Sequence, residues 1–171
     1  RAVKTPNPRF LKTPRVLTSA GYSAYVKISD GCDNRCSYCA IPLIRGGYRS
    51  VPMETLIEEA KLLASKGVKE LVLIAQDTTR YGEDIYGKSM LPELLKKLCR
   101  IDGLKWIRTL YCYPERITDE LLDTIASEEK LVKYLEIPIQ HCDGDIISRM
   151  NRWGDEEKLE ALFAHIRAKI P

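Results

Sequence analysis

Cys32, Cys36 and Cys39 stand at C-x3-C-x2-C spacing within Asp30-Gly31-Cys32-Asp33-Asn34-Arg35-Cys36-Ser37-Tyr38-Cys39. Three thiolates so close in sequence can hold three corners of a cubane 4Fe–4S cluster and leave the fourth iron without a protein ligand. An iron left open can bind a small molecule, which turns an electron-transfer group into a reactive one. Three other readings compete. Cysteines at i, i+4 and i+7 also fall on one face of a helix, but Gly31, Asp33, Asn34 and Ser37 are turn formers and Pro42 follows closely. A structural zinc ion takes four ligands, and the remaining candidates, Cys99, Cys112, Cys142, His141 and His165, all lie far along the chain. Disulfides are the third alternative, and nothing in the sequence suggests export.

The elements that position this triplet alternate between strand and helix. Tyr25 to Ser29 reads as a first strand, and Pro52 to Lys66 as a helix with Ser50 as its start signal and Gly67 as its stop. Glu70 to Ala75 is the second strand. Leu91 to Arg100 is the next helix, with Leu91, Leu94, Leu95 and Leu98 on its apolar side. A third strand runs from Trp106 to Tyr111, a helix from Thr118 to Ser127, and a fourth strand from Tyr134 to Ile139. A short helix from Asp145 to Asn151 breaks near Trp153-Gly154. The last helix, Asp155 to Lys169, is expected to bury Leu159, Leu162, Phe163 and Ile166.

Strands separated by helices imply an α/β fold with parallel pairing and right-handed crossovers. Four βα units cannot close an eight-stranded barrel, so the fold is an incomplete TIM-like βα barrel or part of a doubly wound sheet. In either, reactive groups collect at the carboxyl ends of the strands. The cysteine loop follows the first strand, Gln76-Asp77-Thr78-Thr79 the second, Cys112-Tyr113-Pro114-Glu115-Arg116 the third and Gln140-His141-Cys142 the fourth. All four polar groups should therefore face one rim.

With 171 residues, 44% of them hydrophobic, the chain is one domain by length and can bury a core. Its longest apolar run, Leu71 to Ala75, suits a buried strand and is far too short to span a bilayer. No signal peptide is evident, so a cytoplasmic protein with no membrane partner is expected. The net charge of +3 is unevenly spread. Residues 1–22 carry Arg1, Lys4, Arg9, Lys12 and Arg15 with no acidic residue, leaving 22 basic and 24 acidic side chains in the rest. The globular part is therefore not a basic nucleic-acid binder. With Pro6, Pro8 and Pro14, the leading segment reads as an extended linker, and contact with RNA is its alternative. A first residue other than Met, and a last residue just beyond a helix, suggest a piece of a longer protein.

With Tyr38 before the third cysteine, Cys32-x3-Cys36-x-Tyr38-Cys39 resembles the signature of the radical S-adenosylmethionine (SAM) enzymes. The stretch from Ala24 to Pro42, with Ile44-Arg45-Gly46 after it, is similar to the methylthiotransferases among them. Ala75-Gln76-Asp77-Thr78-Thr79-Arg80-Tyr81-Gly82 and Tyr134-Leu135-Glu136-Ile137-Pro138-Ile139-Gln140-His141 resemble the branch that modifies an aspartate of a ribosomal protein (RimO-like). The tRNA-modifying branch (MiaB-like) tends to carry Asn-Val-Asn and Pro-Val-Gln-Ser-Gly segments at these two places. The resemblance runs from about Thr13 to Pro171.

It implies a three-part protein: a domain with a second 4Fe–4S cluster, the radical SAM domain, and a small TRAM domain. Residues 1–22 would be the linker and 23–171 the first part of the radical SAM domain, the other parts lying outside this chain. Such a fragment should not complete the reaction alone. The implied activity is reductive cleavage of cluster-bound SAM to a 5′-deoxyadenosyl radical, which activates the aspartate β-carbon for methylthiolation. A ribosomal protein is the implied substrate, with flavodoxin or ferredoxin as electron donor. The tRNA enzyme and a zinc-stabilised RNA-binding module are the alternatives.

By the same resemblance Cys32, Cys36 and Cys39 are the cluster ligands and Tyr38 lies near the SAM adenine. Gln76 and Asp77 would accept hydrogen bonds from the SAM amino group. Arg45 would bind a carboxylate or shield the cluster, and Gln140 would face the ribose. Cys99, Cys112 and Cys142 are expected to be core or loop cysteines, and Arg116 and His165 to be solvated.

Overall fold

The computed structural model describes Val16 and residues 21–171; apart from Val16, Gly21 and Tyr22, the basic segment 1–22 lies outside the described residues. The chain runs β1 (Ser23–Lys27), β2 (Ser29–Asp30), α1 (Ile41–Arg45), β3 (Arg49–Ser50), α2 (Met53–Ser65) and β4 (Glu70–Ile74). It continues through α3 (Glu83–Tyr86), α4 (Leu91–Cys99), β5 (Trp106–Thr109), α5 (Asp119–Ser127), α6 (Gly144–Arg149) and α7 (Glu156–Lys169).

Alternation sets the faces of the sheet. In β1, Ala24 and Val26 are buried while Tyr25 and Lys27 are exposed, the period-two pattern of a strand covered on one side. β1, β4 and β5 pair in parallel in that order, and the register sets Ala24 beside Leu71 and Val26 beside Leu73. Ile107 lies beside Leu71 on the other edge. These residues pack against Leu56, Ala60 and Leu63 of α2, Leu94, Leu95 and Leu98 of α4, and Leu121 and Ile125 of α5. The opposite face is polar: Tyr25 and Trp106 are exposed, and Arg108 pairs with Glu70 at 3.0 Å. Helices cover one face alone among the described residues. A doubly wound sheet needs both covered, so the fold is the incomplete βα barrel.

Three local expectations are corrected. The segment 134–139 is not a strand: on the edge of β5 away from β4 the described residues form a single parallel bridge, Ile107 to Leu131. Beyond it the amides of Tyr134, Ile139 and His141 bond carbonyls two residues back, at 2.7–2.9 Å, and Pro138 has no N–H to offer. These tight turns take up the donors that a ladder would use. Ser50 does not cap α2; its hydroxyl accepts from the Gly82 amide at 2.9 Å, while β2 and β3 form a small antiparallel pair that the sequence did not suggest.

On α7, Leu159 is buried, Leu162 and Ile166 are half-buried and Phe163 is exposed. The helix packs on α5, where Lys169 and His165 reach Asp123 and Asp119; His165 is exposed to solvent, as expected, and pairs there. Toward residues 133–137 the same helix overlooks a hollow of about 400 Å³. Its own start is well made: the Asp155 carboxylate accepts from the Lys158 amide at 2.9 Å.

Leu94→Ala removes a fully buried side chain from the centre of this core. It should cost about 2–5 kcal/mol, seen as a lower urea midpoint at unchanged slope. The half-exposed Leu62, changed to Ala, should shift stability by no more than about 0.5 kcal/mol in the same experiment.

Candidate active site

Between β2 and α1 the chain forms an irregular loop that carries Cys32, Cys36 and Cys39. A loop of this kind must be held from outside, and three sets of contacts do so. The first is backbone. Gly31 sits at φ +78°, and a Cβ there would lie 2.1 Å from the Gly47 carbonyl oxygen, so only glycine fits. That close approach lets the Cys32 amide donate to Gly46 O at 3.1 Å. Within the loop, Cys39 N bonds Cys36 O at 3.1 Å and Asn34 N bonds the Cys32 sulfur at 3.4 Å.

The second set comes from the end of β4. Asp77 is fully buried, and its carboxylate accepts from the Asn34 side chain at 2.9 Å and from Thr79 N at 3.1 Å. Its backbone carbonyl accepts from the Tyr48 hydroxyl at 3.0 Å. Arg116 Nε lies 3.7 Å from Asp77 Oδ2, and Arg116 Nη1 bonds Glu83 at 2.9 Å. Arg116, expected to be solvated, is therefore part of this network. Burial pushes the Asp77 carboxyl above its ordinary pKa, opposed by Thr79, Asn34 and the two arginines Arg116 and Arg80.

The third set reaches back from beyond α6. Ser37 donates to Met150 O and Arg149 O at 3.0 and 2.7 Å, and the Asn151 amide donates to Arg35 O at 2.7 Å. Arg152 lies over the Tyr113 ring, 4.1 Å from its centroid, with Nη1 3.9 Å from the Cys36 sulfur.

At the carboxyl ends of β1, β4 and β5 these elements enclose a hollow of about 390 Å³, lined by Cys32, Cys39, Gln76, Ile41, Tyr111 and Tyr113 among others. That volume lies within the range of small-molecule sites. The Gln76 side-chain oxygen is buried and has no hydrogen-bond partner. A larger hollow, about 710 Å³, lies between α2 and α4 on the outer surface, away from the strand ends. Among the described residues, no three His, Cys, Asp or Glu side chains gather around a single-ion position. A cubane does not ask for that, because its three thiolates bind three different irons.

The expected site residues divide accordingly. Cys32, Cys39 and Gln76 meet in the hollow, and the buried Cys36 lies behind them near Tyr113. Asp77 does not line it. Its oxygens serve Asn34 and Thr79, and the bond to Asn34 anchors the cysteine loop. Tyr38 is half-exposed, and Arg45 and Gln140 are exposed outside the hollow. Gln140 and Tyr111 both hold positive φ, 70° and 60°, strain of the kind that collects at functional ends of strands. Sequence reading missed Asn34, Tyr113 and Arg152. The one available signal was their polar or aromatic character at loop positions.

The Radical SAM superfamily model matches residues 26–171. The chain belongs to the radical SAM superfamily. Among curated relatives it is 60% identical over 161 residues to the ribosomal protein uS12 methylthiotransferase RimO of Lachnoclostridium phytofermentans, covering 94% of this chain and 37% of that protein. It is 52% identical over 168 residues to RimO of Acetivibrio thermocellus, covering 98% and 37%. The chain thus spans a little over a third of the length of these relatives.

Solved radical SAM structures share the fold. The methyltransferase TsrM of Kitasatospora setae, solved with tryptophan and a SAM analogue bound, superposes with a TM-score of 0.66 at 18% identity, over 87% of this chain and 29% of that one. The cobalamin-dependent OxsB superposes at 0.63 with 13% identity, over 85% and 22%.

Two outcomes test the packing around the cysteine loop and the strand ends. Gly31→Ala forces a side chain into positive φ and against Gly47 O. It should destabilise by about 1–3 kcal/mol and open the buried Cys32 and Cys36 to thiol reagents, read by counting labelled cysteines.

Cys112, fully buried beside Thr78, has its thiol pushed up to about 11 by burial. At pH 8 native protein should label at the exposed Cys142 but not at Cys112, as peptide mass mapping will show. An unfolded thiol ionises near roughly 8.5. Stability linked to Cys112 is therefore complete below that pH and is lost as pH rises toward 11.

Proposed function

We propose that this chain is the SAM-cleaving part of a methylthiotransferase that modifies the β-carbon of an aspartate in ribosomal protein uS12. The observation that carries the reading is the hollow at the strand ends, where Cys32 and Cys39 face a buried and unpartnered Gln76 oxygen. The choice of substrate rests on the similarity to RimO.

Cys32, Cys36 and Cys39 hold a 4Fe–4S cluster in this reading, and the donor set fits it: three thiols on one loop, with no fourth cysteine in the hollow. Bound there, the cluster would supply the reducing electron for cleavage of the SAM carbon–sulfur bond. The chain's own residues bind and orient. Gln76 Oε1 accepts from the SAM ammonium, which satisfies the orphaned oxygen. The half-exposed Tyr38 ring offers the adenine a flat face, and Gln140 reaches the ribose from the same rim. Asp77 keeps the loop, and with it the thiols, in register with β4. Ile41, Tyr111 and Tyr113 exclude water from the reacting bond.

Residues 1–22 act as a linker, and 23–171 form the first part of the radical SAM domain. A second 4Fe–4S cluster and the rest of the barrel belong to parts of the protein outside this chain. The electron comes from a flavodoxin or ferredoxin, and the substrate is met on or near the ribosome. Six free cysteines suit a reducing cytoplasm, and among the described residues no helix is long and apolar enough to cross a membrane.

EPR of anaerobically reconstituted, reduced protein should give a 4Fe–4S signal that changes when SAM is added. Cys32→Ala, Cys36→Ala and Cys39→Ala should each abolish SAM cleavage. Stoichiometric zinc without sulfide, or cleavage retained in the variants, refutes the reading. The full-length protein should methylthiolate uS12 in ribosomes; modification of tRNA alone moves it to the other branch.

A further inference from the structure

Arg152 is partly buried beside the cysteine loop, and its contacts there leave its charge without a role. Nη2 donates to Pro138 O at 2.7 Å, the guanidinium covers the Tyr113 ring, and Nη1 stands 3.9 Å from the Cys36 sulfur. Its Nε is buried and has no hydrogen-bond partner. The groups that act on its charge are Tyr113, Cys36 and Tyr38, all neutral while protonated. No carboxylate within ion-pair distance is found for it among the described residues, although Arg80, Arg108 and Arg116 each have one. A partly buried cation without a counter-anion is costly. At this position the missing negative charge can come from Cys36, once that thiol is a metal-bound thiolate.

We propose that Arg152 is a positioning residue that compensates the charge of the cluster at Cys36 and makes its reduction easier. The inference rests on the cluster reading above. Three thiolates on a 4Fe–4S core leave a net negative charge, and one added electron increases it. A cation fixed beside one sulfur therefore stabilises the reduced form more than the oxidised one, through net charge and hydrogen bonding at sulfur. The electron itself comes from an external one-electron donor, and no bond is made or broken at Arg152. Tyr113 and Pro138 hold the guanidinium in place, which a flexible lysine would match in charge but not in geometry.

The test is a redox titration of the anaerobically reconstituted holoprotein without SAM, followed by EPR. In Arg152→Met the ratio of reduced to oxidised cluster at a fixed potential should fall about tenfold, equal to 59 mV for one electron. Arg152→Lys should recover most of that loss. A loaded R152M with the wild-type midpoint overturns the proposal, as does a variant whose only change is weaker SAM binding. If R152M does not retain iron, Arg152→Gln takes its place in the titration. Should Gln and Lys also fail to load, Arg152 is a packing residue alone and the proposal falls. Failure of the wild-type protein to take up a cluster would instead refute the cluster reading itself.

Discussion

Asp77 divides its two carboxylate oxygens between β4's own continuation and the cysteine loop: Oδ1 takes the Thr79 amide and hydroxyl, Oδ2 the Asn34 side chain. Water does not reach it. Burial of such a group costs several kcal/mol before its partners are counted, and its net pKa stays above the ordinary value. The sign of that shift matters. A raised carboxyl contributes most below the unfolded pKa of about 3.9, and its contribution declines as pH rises through the folded value. At neutral pH, therefore, Asp77 is held for geometry rather than for stability. It fixes one end of an irregular loop against a rigid strand, and the placing of the thiols follows from that.

The sheet gives that anchor its direction. Because β1, β4 and β5 are parallel, the segments that leave them emerge on the same side, and crossover helices bury only the outer face. Thr78 adds a cross-tie between neighbouring ends: its hydroxyl donates to Leu110 O at 2.8 Å and its amide to Tyr111 O at 3.1 Å. Tyr111 is held at positive φ under this tie. Rigidity at the strand ends and irregularity just beyond them coexist because side chains, not further ladder bonds, connect the two.

Much of this was legible in the sequence. The alternation of strand and helix as far as α5 and the leucine positions of α4 each carry a short-range signal, and the structure agrees with them within a residue or two. What stayed hidden is long-range. Asp77 and Gln76 look equally suited to a ligand on paper, and only the partner Asn34, 43 positions away, assigns one of them to the scaffold. Residues 134–139 are rich in strand formers, yet local two-residue turns claim their amides. Phe163 has helical periodicity, yet it stands exposed beside a hollow instead of entering the core. Arg152 carries no motif at all; its meaning depends on Tyr113 and Cys36 meeting it in space.

The clamp from Arg149, Met150 and Asn151 onto Ser37 and Arg35 joins residues 112 to 116 positions apart. Contacts of such span close late, since the intervening chain must first give up its freedom. On a ribosome, where the chain emerges from its N-terminus, the three thiols are made long before α6 exists to hold their loop. For the time taken to synthesise more than a hundred further residues they remain ungathered. The clamp on the thiol loop can therefore close only after α6 is complete, and the nascent thiols depend during that interval on the reducing power of their surroundings.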